Sequence, residues 1–66
     1  MNILVNGEKR ENRKGKTLAG LVKNFNPSNK RVAVLLNDDL IPRDRQAAQL
    51  LKEGDRVEIL TFAGGG

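Results

Sequence analysis

Met1, Ile3 and Val5 alternate with Asn2 and Leu4 at the start of the chain. This is the period of two expected of a half-buried β-strand, whose successive side chains point to opposite faces. Asn6-Gly7 follows, the pair best suited to a two-residue hairpin turn in which both central residues take positive φ. The returning segment from Glu8 to Arg13 is almost wholly charged and predicts an edge strand protected against pairing with other chains. Gly15-Lys16 breaks the pattern, and the Thr17 hydroxyl is placed to cap a helix. Leu18, Leu21, Val22 and Phe25 then fall at i, i+3, i+4 and i+7, one apolar stripe of a helix. Gly20 lies inside this helix, where glycine costs roughly 0.5–1 kcal/mol relative to alanine; a close approach of helix to sheet would account for it. Asn26-Pro27 ends the helix, because the residue before proline avoids the α region.

Arg31 to Leu36 is a second apolar run, short and β-branched enough for a central strand. Asn37-Asp38 turns the chain into a short strand, Asp39-Leu40-Ile41, which Pro42 stops. Asp44 is placed to cap a short helical segment running from Gln46 to Leu51, and Glu53-Gly54-Asp55 turns into a last strand, Arg56 to Phe62. The predicted order is strand, strand, helix, strand, strand, short helix, strand. The fold class is α+β, a mixed sheet of about five strands with one face covered by one main helix. Its expected core is Ile3, Val5, Leu18, Leu21, Val22, Phe25, Val32, Val34, Val57 and Ile59, because their strand and helix spacings agree on one buried layer.

Composition narrows the chemistry. The chain has 66 residues, room for one small domain. Cysteine and histidine are absent, which removes thiol nucleophiles, disulfides, imidazole acid–base catalysis and the usual zinc ligands. The cysteine-free composition, with neither a membrane-span run nor a signal-peptide pattern, predicts a cytoplasmic protein with no membrane partner. Asp38-Asp39 is the one adjacent acidic pair, without the spacing of a calcium loop, so a solvated turn is expected and no metal site. Phosphate-cradling and dinucleotide fingerprints are absent as well. These exclusions predict a protein that is not an enzyme. The net charge is +4, with basic residues gathered in Lys9-Arg10, Arg13-Lys14-Gly15-Lys16 and Lys30-Arg31. With only two phenylalanines and no tyrosine or tryptophan, the stacking platforms of nucleic-acid binders are missing. An acidic protein partner or a solvated basic hairpin fits the charge better.

The remaining feature is Gly64-Gly65-Gly66, directly after the last predicted strand. Three residues without Cβ atoms make a thin, flexible tail able to enter a narrow slot. Such a tail suits chemistry performed on its carboxylate by a partner enzyme; for the glycines alone, a frayed chain end is the alternative. The expected division is a domain over residues 1–63 and a glycine tail over 64–66.

Taken in order, these elements resemble the β-grasp sulfur carrier proteins of thiamin biosynthesis, the ThiS-like proteins, over essentially the whole length. The residues that carry the resemblance are Ile3-x-Val5-Asn6-Gly7, Thr17-Leu18, Val32-Ala33-Val34-x-x-Asn37 and Ile41-Pro42-Arg43. Lys52-Glu53-Gly54-Asp55-Arg56-Val57-Glu58-Ile59, running into Phe62 and the three glycines, completes it. The resemblance implies that the first and last strands are parallel neighbours in the middle of the sheet. It also implies a cofactor-free carrier. An ATP-dependent activating enzyme would adenylate the Gly66 carboxylate, with Gly64 and Gly65 as the stem, and sulfur would then convert it to a thiocarboxylate that feeds thiazole formation. The implied partners are the adenylating enzyme, a thiazole synthase, and a sulfurtransferase or cysteine desulfurase; with no residue after Gly66, no proteolytic trimming is implied. A small subunit of molybdopterin synthase and a ubiquitin-like modifier share the fold and the Gly-Gly end, and a basic β-grasp binding module is an alternative of another class.

Strand parity proposes where partners dock. With Ile3, Val5, Val32, Val34, Val57 and Ile59 facing the helix, Leu4, Ala33, Leu35, Leu60 and Phe62 face away from it. On three adjacent strands they would form an apolar patch beside the root of the tail, the kind of surface that marks an interaction site; the alternative is that Leu60 or Phe62 folds over an edge and completes the core. Arg43, after the Pro42 turn, is a further candidate partner contact.

Overall fold

The computed structural model describes residues 1–62. The chain runs β1 (Asn2–Val5), β2 (Glu8–Glu11), α1 (Leu18–Phe25), β3 (Val32–Leu36), β4 (Asp39–Leu40), α2 (Arg43–Gln46) and β5 (Arg56–Thr61). The strands form a single mixed sheet in the order β2-β1-β5-β3-β4, and β5 runs parallel to β1 and antiparallel to β3. The predicted order of elements and the central parallel pair are therefore present.

Turn chemistry sets the two hairpins. Asn6 and Gly7 take φ of 50° and 82°, and Asn37 and Asp38 take 50° and 72°, the positive pair that matches the twist of flanking strands. The first turn pairs Val5 with Glu8 and Ile3 with Arg10, and the second pairs Leu36 with Asp39 and Leu35 with Leu40. β2 lies at the edge of the sheet. On its helix side it carries Glu8 and Arg10, whose side chains pair at 3.6 Å. Inward charge on an edge strand discourages further strand addition.

α1 starts where expected. The Thr17 side chain accepts from the Gly20 N–H at 3.1 Å. The helix buries Leu18, Leu21 and Val22 against Ile3, Val5, Val34, Leu36, Leu51, Val57 and Ile59. Two expected core residues behave differently. Phe25, in the last turn, is 37% exposed. The eight-residue helix carries this ring past the sealed layer, where the Arg10 guanidinium covers it at 4.8 Å from the ring centroid. Val32, the first residue of β3, is half-buried at the core's rim. Leu36 and Leu51 fill the places the sequence pattern did not assign.

Gly20 does not mark a close helix–sheet approach. A Cβ there would meet only the Thr17 hydroxyl at 3.4 Å and the Lys16 side chain at 3.7 Å. The second helix also differs from expectation, spanning Arg43–Gln46 rather than beginning beyond Asp44. Pro42, extended at φ −61° and ψ 153°, is its N-terminal boundary and offers no side-chain cap, so Asp44 falls within the first turn. It ends early because the following backbone is taken elsewhere: Leu18 N–H donates to Gln49 O at 2.8 Å, and Leu51 N–H donates to Lys16 O at 3.0 Å. These two bonds strap the segment across the start of α1.

Candidate functional site

The glycine tail, residues 64–66, and Ala63 lie outside the described residues, so the site is built from what leads to them. β5 occupies the centre of the sheet, with a hydrogen-bonded strand on each side. Two asparagines hold its backbone in addition to the ladders. The Asn6 side chain accepts from Ile59 N–H at 2.7 Å and donates to Ile59 O at 3.3 Å, so it acts as one more peptide unit where β1 ends. On the other flank, Asn37 accepts from Arg56 N–H through its side chain at 2.9 Å and donates its own N–H to Arg56 O at 2.8 Å.

Asp55, immediately before β5, is buried. Its carboxylate accepts from Asn37 Nδ2 at 3.0 Å and from Lys52 N–H at 2.7 Å, so the buried oxygens have partners. Gly54, at φ 83°, makes the turn before it. The Asn37 and Gly54-Asp55 parts of the sequence resemblance thus have a structural role, fixing how β5 enters the sheet. Sequence reasoning placed Asp55 in the turn before the last strand and did not foresee its burial; nothing local distinguishes a carboxylate whose partner is 18 residues away.

The register of β5 arranges the face opposite α1. Ala33 lies directly against Leu60, and Leu35 lies against Glu58 on one side and Leu40 on the other. Leu60 is 49% exposed and Phe62, just past the strand, 57%, so neither folds over to complete the core. Ala33 and Leu35 are half-buried. Leu4 stands apart, opposite Arg56 and Lys9, with the Arg56 and Glu58 positions between it and Leu60. The structure therefore groups Ala33, Leu35 and Leu60 on β3 and β5, with Phe62 following β5, and adds Leu40, which is 64% exposed. The hairpin register carries Leu40 there, and the two-residue Asn37-Asp38 turn was the sequence signal for it.

Arg43 is remote from this face. Its guanidinium donates to the Asn29 side chain at 3.0 Å on the exposed surface beside α2. Among the described residues, no cluster of histidine, cysteine and carboxylate side chains is arranged to hold a metal ion. No described helix is long and apolar enough to cross a membrane.

Comparison with known proteins agrees with this architecture. The model of the ThiS family matches residues 3–66. The crystal structure of the thiamine biosynthesis protein ThiS from Geobacter metallireducens superposes with a TM-score of 0.82 at 32% identity, covering 100% of both chains. A solution structure of a thiamine biosynthesis protein from the same organism gives 0.79, covering 88% of that chain. Thiazole synthases of Paramagnetospirillum magneticum and Magnetococcus marinus are 32% and 36% identical over 66 residues, and the chain spans 20% of the length of each. The uncharacterized protein ycf40 of Pyropia yezoensis is 35% identical, with 93% of its length covered. The full-length family match and the shared β-grasp topology assign this chain to the ThiS family.

Proposed function

We propose that the chain carries sulfur for thiazole formation on the carboxyl group of Gly66. The observation that carries this reading is the match to the ThiS family over residues 3–66, a span that runs through the three closing glycines. A carboxylate is a poor electrophile, and adenylation by a partner enzyme converts one oxygen into a good leaving group. The carboxylate attacks the α-phosphorus of ATP and pyrophosphate departs. A persulfide sulfur on a sulfurtransferase or cysteine desulfurase then attacks the acyl carbon and AMP leaves. Cleavage of the resulting S–S bond by a thiol leaves the thiocarboxylate. This chain contributes the carboxyl group and a stem, Gly64 and Gly65, without side chains to obstruct either active site. It supplies none of the acid–base groups and needs no cofactor of its own.

The proposed recipient of the sulfur is a thiazole synthase. Supporting this, two thiazole synthases contain a stretch similar to the whole of this chain within one polypeptide. The proposed docking face for the activating enzyme is the apolar group formed by Ala33, Leu35, Leu40, Leu60 and Phe62. It combines exposed apolar surface with a position on the strand that leads to the glycines.

Intact-mass measurement tests the chemistry. After incubation with ATP, the activating enzyme and a persulfide source, the wild-type chain is expected to exchange one oxygen for one sulfur. A chain lacking Gly66, or with Gly65→Trp, is expected to remain folded and unloaded. Normal loading of the Gly66-deleted chain overturns the proposal, and covalent attachment to lysines of other proteins favours a modifier instead.

A further inference from the structure

On the helix side of the sheet, a cavity that the carrier chemistry does not use lies between the end of α1, the 26–31 loop and α2. It has two overlapping lobes of about 450 and 290 Å³ that share Val22, Asn26, Asn29, Arg43 and Gln46 as walls. Lys23 lines the first lobe and Lys30 and Arg31 the second, while Arg43 lines both. Among the described residues, no carboxylate lines either lobe. The ion pairs among the described residues are Arg10–Glu8 and Arg56–Asp38, so none of these four cations pairs with a carboxylate among the described residues.

The walls are held in place by neutral groups. Asn26 closes the loop by donating to Lys30 O at 2.6 Å and accepting from Lys30 N–H at 3.1 Å. Asn29, at φ 57°, donates its N–H to Asn26 O at 2.9 Å. Its side chain accepts from Arg43 Nη2 at 3.0 Å. The guanidinium is thereby positioned by an amide, which leaves its charge intact and most of its N–H donors available.

A solvated basic surface is the competing explanation, and it accounts well for Lys23, which faces the partial negative charge at the end of α1. That charge is only about half an elementary charge and fades within a turn, against four whole cations around one concavity. The concave shape and size fall in the range of small-ligand sites, roughly 300–1,000 Å³. Arginine and lysine together suit phosphate oxygens, by planar fork and by point charge. Two lobes bridged by one arginine, with further cations in each, suit two linked anionic groups. We propose that this cavity binds a small anion of the diphosphate class.

Pyrophosphate is the probe, titrated into the free chain at constant ionic strength while backbone amide resonances are followed. The expected result is saturable shifts confined to residues 22–31 and 42–46, with affinity falling roughly tenfold in Arg43→Ala and unchanged in Lys14→Ala. Lys23→Gln and Arg31→Gln remove cations whose side chains make no hydrogen bond among the described residues, and each is expected to weaken binding without disturbing the loop. Shifts that never saturate, that track the basic residues 9–16, or that survive all three cavity substitutions overturn the proposal. No activating enzyme is present in this experiment, so its failure leaves the carrier reading untouched.

Discussion

Asn6 occupies a position where a left-handed backbone conformation is required, and its side chain then bonds both main-chain groups of Ile59. The two roles are separable. Asn6→Gly keeps the turn and removes the grip, with an expected loss of about 1–3 kcal/mol of stability, given roughly 0.5–1.5 kcal/mol per hydrogen bond. Asn6→Ala also removes the grip but keeps a Cβ at positive φ without asparagine's tolerance of that region, and is expected to cost up to about 1–2 kcal/mol more than the glycine variant. Urea unfolding reads both differences; a wild-type midpoint for Asn6→Gly would show that the grip contributes nothing. Asn6-Gly7 was legible in sequence as a turn because that preference is local. The grip was not, since Ile59 is 53 residues away. Asp55 and Phe25 share this limit: burial of the carboxylate depends on Asn37, and exposure of the ring depends on where the helix ends relative to the sheet and on Arg10.

Elements were legible where periodicity ran long enough to be distinctive. The stripe Leu18, Leu21, Val22 placed α1, and the alternation around Val5 and Val57 placed the central strands with their inward faces. The segment after Pro42 has no such period. Its ending is decided by backbone bonds from Leu18 and to Lys16, which no local pattern encodes. Gly20 gives a test at this scale. Its N–H bonds the Thr17 cap, and a Cβ there makes only ordinary contact, 3.4 Å from the Thr17 hydroxyl. Gly20→Ala is therefore expected to stabilise the domain by roughly 0.5–1 kcal/mol, read as a higher unfolding temperature. Had the helix pressed against the sheet at this position, the same substitution would have destabilised it. A lower unfolding temperature would mean that the cap cannot yield to the methyl group.

At the scale of the molecule, the sheet has two different faces: one closed by α1, the other presenting Leu35, Leu40, Leu60 and Phe62 beside Glu58. Leu35→Glu and Phe62→Glu place a carboxylate in that group without entering the core, so unfolding midpoints are expected to stay near wild type. Association with the activating enzyme is expected to weaken by roughly tenfold or more for each, measured by calorimetry. Wild-type loading rates in both variants would move the docking face elsewhere. Which strands lie side by side was expected from the resemblance, because parity alone cannot order strands in a sheet. Parity did select the outward residues, but only the register separates Leu4 from the others and brings in Leu40.

The strand that joins the two hairpins is also the last of the described elements to be made. While the chain is being synthesised, β1–β2 and β3–β4 emerge as separate two-strand ribbons, each with an open edge where β5 belongs. Isolated hairpins are marginal in water, so Val5, Val34 and Leu36 lack their cross-strand partners until residues 56–61 leave the ribosome. Folding must then close contacts across nearly the full length, and such non-local closure lowers folding rates relative to a domain of the same size built from local contacts.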